Sequence, residues 1–435
     1  MIAAIAVALL SSCSGDNSSD AIQLLSTVPS DASFVGVVHL NRVINADGGK
    51  VKDGEAIPSE KITRELPTSG DAALIARALL TAEAGVDADC LVVFTEGYRT
   101  YIAGALRDPE AFQAFWEKRG RKFEPEEGVE VAGNVVFVKN NFWICLSGTP
   151  DASRVKSYSE LSENLSWASR DYAETLAEPD KDLKFAADAS SAVRKISGDK
   201  AREINMLIPL LFKDPAFIAG EVEFSKGKAK AELGVLDSKF RPTDFILPLG
   251  KIDPGVVKKL NCSAEALLAI GLPEKSVKFI EKNVGGGLMS KMLPDYLAPV
   301  DGTVALALSF GSGRNACAAA LSTNGKPVSE LTDLLSHLNN GGTARTEGKI
   351  YLYSVPGIVG KLPAVNFADD FKGAMAGMIV NTEGIASAQT PAILDRVEVM
   401  LHPKGSSARL KLTAVAADKN QGFFVTSLQL FASQK

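Results

Sequence analysis

The order of apolar segments along this chain of 435 residues most constrains its fold, because the same order occurs twice. Each half begins with a short apolar strand, at residues 32–40 and 264–272. A strand, a glycine-containing turn, a second strand and an amphipathic helix follow in both halves. Each half then ends in a hairpin whose residues alternate between apolar and charged. Such a matched order predicts an ancient tandem duplication.

Local signals place the elements within each half. In the first half, Asp108 is a helix N-cap, Pro109 takes the first helical position and Gly120 ends the helix. In the second half, leucines at helical spacing from Leu331 to Leu338 form an apolar stripe. The other predicted elements are strands at 90–95, 135–138, 142–146, 304–309 and 350–353, strands that end at 103–106 and 318–321, hairpins at 221–236 and 397–415, and a final strand at 423–431.

These elements predict an α+β fold of two tandem-duplicated halves, each an antiparallel sheet with helices packed on one face. We place the first half at residues 27–250 and the second half at residues 251–435. The charged stretch 45–69 interrupts the first half. It is predicted to be a surface loop or a partly ordered insertion.

The N-terminus carries the signal that decides location. An apolar run at residues 2–10 ends in Leu10-Ser11-Ser12-Cys13, which is a lipobox. Bacterial signal peptidase II cleaves just before such a Cys once diacylglycerol is attached, and a further acyl chain such as palmitate often follows. Two or more acyl chains hold a protein to a bilayer. We therefore predict a signal peptide at 1–12, lipidation of Cys13 and a polar tether at 13–26.

Two features of the N-terminus bear on this prediction. The apolar run has the length of a signal peptide and is far too short to span a membrane. No Lys or Arg precedes Cys13, and the first basic residue is Arg42. We therefore expect the positively charged start of the signal peptide to lie upstream of Met1. The alternative is a cytoplasmic protein whose apolar N-terminus ends in Ser-Ser-Cys by chance.

Composition excludes two classes of protein. The formal net charge of −5 and the lack of a basic cluster argue against a nucleic-acid partner. The longest later apolar segment, 204–212, is too short to span a membrane and contains Pro209. A hydrophobic content of 46% over this length is enough to build at least two globular domains.

The cysteines beyond Cys13 are far apart, without the spacing of a zinc site. They are Cys90, Cys145, Cys262 and Cys317. All but Cys262 lie in apolar runs, so free buried thiols are the favoured interpretation. One or two disulfides stay open as the alternative in an envelope compartment.

No motif for a cofactor, a metal or catalysis is found. His39 is predicted at a strand edge or facing solvent, His337 on the polar side of a helix and His402 in a hairpin turn, and the three share no ligand spacing. No G-x-S-x-G is present. The segment 285–291 lacks the Gly-Lys-Ser/Thr ending of a phosphate loop, so we expect a flexible joint before a helix.

Acidic and aromatic residues give no stronger candidate. The carboxylates of 124–127 and 369–370 lie in loop-like contexts, so we expect them to be solvated rather than paired for acid–base chemistry. Trp116 and Trp143 are predicted in the core, and Trp167 is predicted to be partly exposed.

Three sequence features carry a resemblance to a known group. They are the lipobox that ends at Cys13, the sequence Val28-Pro-Ser-Asp-Ala32 before the first strand, and Leu297-Ala-Pro-Val-Asp-Gly-Thr-Val304 before a strand of the second half. Together they resemble a group of uncharacterised Bacteroidales lipoproteins with a domain of unknown function over nearly their whole length. The resemblance covers most of the mature chain. It implies an envelope lipoprotein and no particular activity.

The sequence therefore predicts a non-catalytic, lipid-anchored protein of the cell envelope, at the outer membrane and facing either the periplasm or the cell surface. The membrane, through the anchor on Cys13, is the predicted partner, and the further ligand is an envelope protein, a peptide or a glycan. The alternative is an envelope hydrolase with a dispersed active site between the two halves.

Overall fold

The computed structural model describes residues 18–197, 208–283, 296–310, 316–339, 341–356, 358, 360–382 and 393–432. The chain forms two compact units. The first unit contains the described residues up to 197 together with 216–241 and 418–432, and the second contains those from 208 to 215 and from 242 to 417. Residues 418–432, which we assigned to the second half from the sequence, thus belong to the first unit.

The first unit is built on antiparallel strands. Its strands are β1 (Phe34–Val38), β2 (Lys50–Lys52), β3 (Glu55–Ile57), β4 (Val86–Glu96), β5 (Arg99–Leu106), β6 (Glu124–Glu126), β7 (Val129–Ala132), β8 (Val135–Val138), β9 (Asn141–Cys145), β10 (Leu183–Asp188), β11 (Phe217–Ser225) and β12 (Lys228–Leu236). The main sheet has the order β8–β9–β5–β4–β1–β10–β11–β12.

Helices connect these strands and come from both ends of the chain. They are α1 (Ser18–Leu25), α2 (Leu40–Ala46), α3 (Glu60–Glu65), α4 (Gly70–Leu80), α5 (Pro109–Glu117), α6 (Ala152–Ser159), α7 (Ala173–Ala177), α8 (Ala189–Ser197) and, last in the chain, α13 (Phe423–Ala432).

Helices cover both faces of the sheet in the first unit. Helices α1, α6 and α7 pack with Val92 and Phe94 on one face. Helices α2 to α5 and α13 pack with Leu91 and Val93 on the other face. Our prediction of helices on one face is therefore wrong for this unit. The reason is that β4 is apolar at four successive positions, so both of its faces must be covered.

The second unit repeats the same kind of sheet. Its strands are β13 (Ser263–Ala264), β14 (Ala266–Leu272), β15 (Val300–Ser309), β16 (Ala316–Thr323), β17 (Thr343–Glu347), β18 (Ile350–Ser354), β19 (Leu362–Pro363), β20 (Ala376–Asn381), β21 (Leu394–Lys404) and β22 (Ser407–Ala416), and its helices are α9 (Pro254–Lys258), α10 (Glu274–Asn283), α11 (Ser329–Asn339) and α12 (Ala364–Phe367). The main sheet has the order β17–β18–β16–β15–β14–β20–β21–β22.

The two faces of this second sheet are covered to different extents. On one face, α9, α12 and the 3₁₀ turn Ala368–Phe371 pack with Leu267, Ala305 and Ile379, which are fully buried. On the other face, α10 and α11 pack with Leu321 and Tyr351 near β16 and β18. The remainder of that face carries the candidate site.

Most predicted elements are confirmed. The strands at 90–95, 135–138, 304–309 and 350–353 are present as β4, β8, β15 and β18, and both hairpins are present as β11–β12 and β21–β22. The helix that we predicted after Asp108 begins at Pro109, and the Asp108 carboxylate accepts a hydrogen bond from the Ala111 N–H at 2.9 Å.

Two predicted segments have a different structure. Residues 423–431 belong to α13 and form no strand. Six of these nine residues are apolar, and the helix packs into an apolar cluster of the first unit. The stretch 45–69 is ordered: it contains the end of α2, then β2, β3 and α3. Ile62 of α3 is fully buried, which ties this charged stretch to the core.

Candidate functional site

Several predicted features lie outside the described residues. They are the signal peptide and Cys13, the glycine-rich segment 285–287 and the glycine-containing turn predicted between the first two strands of the block in the second half, at 311–314. Among the helices that the structure does describe, none is long and apolar enough to cross a bilayer.

The three histidines lie on different elements. His39 sits between β1 and α2 and is fully buried, so our prediction of an edge or solvent-facing position is wrong. His337 is exposed on α11, as predicted, with Nδ1 2.6 Å from the Asp333 carbonyl oxygen. His402 lies in β21 opposite Arg409, just before the hairpin turn. Within the described ranges, no three His, Cys, Asp or Glu side chains form a group that could hold a metal ion.

The buried position of His39 has an electrostatic consequence. Burial, followed by the charges of Lys184 and Arg42, lowers the pKa of His39 to about 4. Lys184 is itself buried and forms ion pairs with Glu178 at 2.8 Å and Asp180 at 2.5 Å. His39 is thus a neutral imidazole held beside paired charges, and it is suited to packing rather than to proton transfer near neutral pH.

Tryptophans and cysteines lie mostly in the core. Trp116 and Trp143 are fully buried, as predicted. Trp167 is also buried, with 1% of its surface exposed and its ring edge-on to Phe240, so the prediction of partial exposure is wrong. Cys90, Cys145, Cys262 and Cys317 are free; the first two are buried and the last two partly buried. Burial raises the pKa of the Cys317 thiol to about 11, which makes it a poor nucleophile.

A small acidic cavity lies in the first unit. It has a volume of about 260 Å³, and its lining includes Asp20, Asp87 and Asp89 beside Asn140. Burial and the neighbouring Asp89 charge raise the pKa of Asp87. The Asn41 side chain donates a hydrogen bond to Asp89 at 2.6 Å. The carboxylates of 124–127 are exposed, in agreement with our prediction, and take no part in this cavity.

The larger site is an apolar groove on the sheet of the second unit. It has a volume of about 430 Å³ and lies over β14, β15, β20, β21 and β22. Its lining consists only of aliphatic side chains, one methionine and one glycine. These residues are Leu268, Ala269, Ile270, Val304, Leu306, Ala376, Gly377, Met378, Val399, Leu401 and Leu410. Every lining residue except Ala269 keeps part of its surface exposed.

Strand register explains why these side chains form one continuous surface. Alternate residues of a strand point to the same face, and residues opposite each other on paired strands lie side by side. One row across the strands contains Leu306, Leu268, Met378 and Val399. The next row contains Val304, Ile270, Ala376, Leu401 and Leu410. With strands about 4.8 Å apart, five strands give a groove roughly 19 Å wide.

The chemistry of the groove limits what it can hold. Its lining side chains include no hydrogen-bonding or charged group. A polar ligand would lose its hydrogen bonds to water there without replacement, which is unfavourable. The groove therefore suits an apolar surface. We missed it in the sequence because the alternation in β21 and β22 predicts one apolar face and does not reveal whether another element covers that face.

Comparisons with known proteins add little to this geometry. No protein-family model matches the sequence, and no curated protein matches it. Similar solved structures include crystal forms IV, III and I of TP0453, with TM-scores of 0.31, 0.26 and 0.25 and identities of 8%, 11% and 10%. The matches cover 49%, 82% and 79% of this chain and 79%, 97% and 95% of TP0453. TM-scores this low support no inference about the present chain.

Proposed function

We propose that this protein is a lipid-anchored, non-catalytic binding protein of the cell envelope, and that the apolar groove of its second unit is its ligand-binding surface. The groove itself is the observation that carries this proposal. Its volume of about 430 Å³ falls in the range of ligand sites, and its lining is wholly apolar. Contiguous exposed apolar surface of this kind marks interaction sites in soluble proteins.

Dye binding tests the groove. The protein is purified with Cys13→Ala so that it stays free of lipid, and fluorescence of 8-anilinonaphthalene-1-sulfonate is titrated. Leu410→Glu places a charge in the groove and should reduce the bound dye severalfold. Val365→Glu, at a residue of α12 that is 47% exposed outside the groove, is the matched control and should leave binding unchanged. Equal binding by all three proteins would remove the support for the groove as the binding surface.

The lipobox supports the anchor and the outer-membrane location. Ser14 follows Cys13, and it does not resemble a signal for retention in the inner membrane. In cells, wild-type protein should incorporate labelled palmitate and fractionate with the outer membrane, whereas Cys13→Ala should do neither. Protease treatment of intact cells then separates a surface-facing protein, which is cleaved, from a periplasm-facing one. Recovery of unlabelled wild type in the cytosol would refute the anchor.

We also propose that the two units arose by tandem duplication. The identical spatial order of corresponding strands supports this: β9, β5, β4, β1, β10, β11 and β12 match β18, β16, β15, β14, β20, β21 and β22. Among the matched strands, the third one along the chain is followed by a helix in both units: α5 follows β5, and α11 follows β16. Sequence profiles built from close relatives should align the two halves in this register, and profiles that align in no register would argue against duplication.

A further inference from the structure

The first unit contains a direct counterpart of the groove. By strand order, β14, β15, β20, β21 and β22 correspond to β1, β4, β10, β11 and β12. The helices α5 and α11 lie on the same side of their respective sheets as these two surfaces. What covers the surface in the first unit therefore indicates what the groove in the second unit is shaped to receive.

In the first unit, α13 covers part of this surface, beside α2, which packs on β4 and β11. Phe424 and Val425 are fully buried, and 3% of Leu428 is exposed. All three belong to the same apolar cluster as Leu183 of β10, and Val222 of β11 packs against that cluster. The apolar face of α13 thus packs into this cluster, and Phe423 stacks on Phe224 of β11 with ring centroids 5.8 Å apart.

The chain approaches this surface in the same way in both units. In the first unit, Gly422 forms a bridge with Lys226 at the turn of the β11–β12 hairpin, and α13 begins at the next residue. In the second unit, the Phe245 N–H donates to the Ser406 carbonyl oxygen at the turn of the β21–β22 hairpin, at 2.8 Å. Both segments therefore start from the hairpin tip beside the surface in question.

The two segments then differ. The sequence after Phe245 contains Pro248, and no helix forms there. Proline lacks the N–H that a helix needs and restricts the residue before it to extended conformations. The segment instead runs to Gly250, which forms a bridge with Gly271 of β14. The second unit thus has no described counterpart of α13, and none of residues 245–250 lines the groove.

Building on the proposed function, we propose that the groove binds an amphipathic helix of a partner protein through that helix's apolar face. A helix satisfies its own backbone hydrogen bonds, so it can lie on a sheet face that offers none. A helix is about 10 Å across, and ten residues span about 15 Å, which suits the groove's width of roughly 19 Å. A single acyl chain is much narrower and would leave most of this open surface exposed.

A peptide with the sequence of residues 418–432 is the probe, since it contains a helix that packs on the corresponding surface. A fluorescein-labelled peptide is titrated into the full chain carrying Cys13→Ala, with anisotropy as the readout. We expect saturable binding, a loss of at least tenfold with Leu410→Glu and no change with Val365→Glu. A peptide carrying Phe424→Ser, Val425→Ser and Leu428→Ser should bind at least tenfold more weakly.

A second variant guards against loss of the fold. Ala376→Trp fills the groove without adding charge and should also weaken binding, while circular dichroism and the melting temperature check that each variant is folded. Equal affinity of the peptide for the parent protein and both groove variants would overturn the proposal. If palmitate competes with the dye at the groove but the peptide does not bind, the helix is wrong and the binding function stands. If neither binds there, both proposals fail.

Discussion

At the scale of single residues, long-range partners decide the properties of the most buried polar groups. His39 follows an apolar strand, and its neighbours in sequence do not reveal its environment. The cations beside it, Arg42 and Lys184, are held by acidic residues of the segment 178–182. Sequence alternation indicates which residues of a strand share a face. It cannot predict that the segment 178–182 lies beside the end of β1, with its acidic residues paired to the cations next to His39.

The lowered pKa of His39 predicts a specific pH dependence. The unfolded state binds a proton near pH 6.5 and the folded state only near pH 4. Unfolding therefore takes up a proton between these values, so the free energy of unfolding falls as the pH falls through this window. The pKa difference corresponds to a loss on the order of 3 kcal/mol of unfolding free energy between neutral pH and acid.

His39→Gln tests this dependence, because the amide stays neutral and polar. Denaturant unfolding at pH 7 and at pH 4 should show a smaller drop in the variant than in the parent protein. The comparison of the two drops removes the effect of Asp47, Asp87 and Asp182, whose pKa values burial raises and which act in the opposite direction. Parallel pH profiles would contradict the role of His39.

The contact between Asp47 and α13 predicts how much this carboxylate contributes to the free energy of unfolding. Its carboxylate is buried and accepts a hydrogen bond from the Val425 N–H, at the start of α13, at 3.1 Å. A carboxylate at a helix N-terminus satisfies a free N–H and favours the helix dipole. Asp47→Ala should lower the free energy of unfolding by about 1–2 kcal/mol, and Asp47→Asn by less, because the amide oxygen can still accept. Asp108→Ala, at the N-cap of α5, provides a local cap for comparison. An unchanged midpoint in denaturant for Asp47→Ala would count against this account.

At the scale of elements, the sequence predicts those helices and strands that are specified by residues within or next to them. Helix α5 is recovered because Asp108 and Pro109 mark its start, and β4 because a run of four apolar residues suits a fully buried strand. Helix α13 was predicted as a strand, since a run that is apolar at most positions has neither period. Its first turn donates a hydrogen bond to Asp47, which is 378 residues away in the chain. The groove escaped prediction for the same reason, because its openness depends on what the rest of the chain leaves uncovered.

In strand β14, the backbone of Gly271 lies very close to that of Gly250, and this contact can be tested. A Cβ on Gly271 would lie 2.2 Å from the Gly250 carbonyl oxygen, whereas a Cβ on Gly250 would lie 3.2 Å from its nearest neighbour, the Pro273 Cδ. Gly271→Ala should therefore push the two segments apart and lower the free energy of unfolding by about 1–3 kcal/mol. Gly250→Ala should have a clearly smaller effect. Thermal melts of the two variants test this difference. Equal melting temperatures would show that the close contact at Gly271 does not restrict the side chain there.

At the scale of the whole molecule, the first unit is assembled from both ends of the chain. Its sheet begins with β1, yet one of its covering helices is α13, which lies beyond the entire second unit in sequence. No local pattern predicts this arrangement, since it joins segments that are separated by most of the chain. The three tryptophans of the sequence all lie in the first unit. Their fluorescence therefore reports the state of that unit alone.

Truncation after Ala417 tests this arrangement. The shortened chain lacks the α13 side chains that pack in the same apolar cluster as Leu183 and Val222, so tryptophan fluorescence should show a melting temperature lower by several degrees. A full-length chain with Val425→Ser and Leu428→Ser, which keeps the segment and removes its apolar face, should show a similar though smaller drop. If both variants melt with the parent protein, α13 does not contribute to the first unit as described.

The hydrogen bond between Asp47 and Val425 also bears on when the first unit can finish folding. Contacts between residues hundreds of positions apart form slowly, because the entropy of closing a long loop is lost before the contacts can stabilise the chain. A ribosome makes the first unit's strands early and α13 only after the whole second unit. The first unit must wait until α13 has been made before its apolar cluster is complete, and during that wait the nascent chain exposes residues of this cluster to any chaperone that accompanies it.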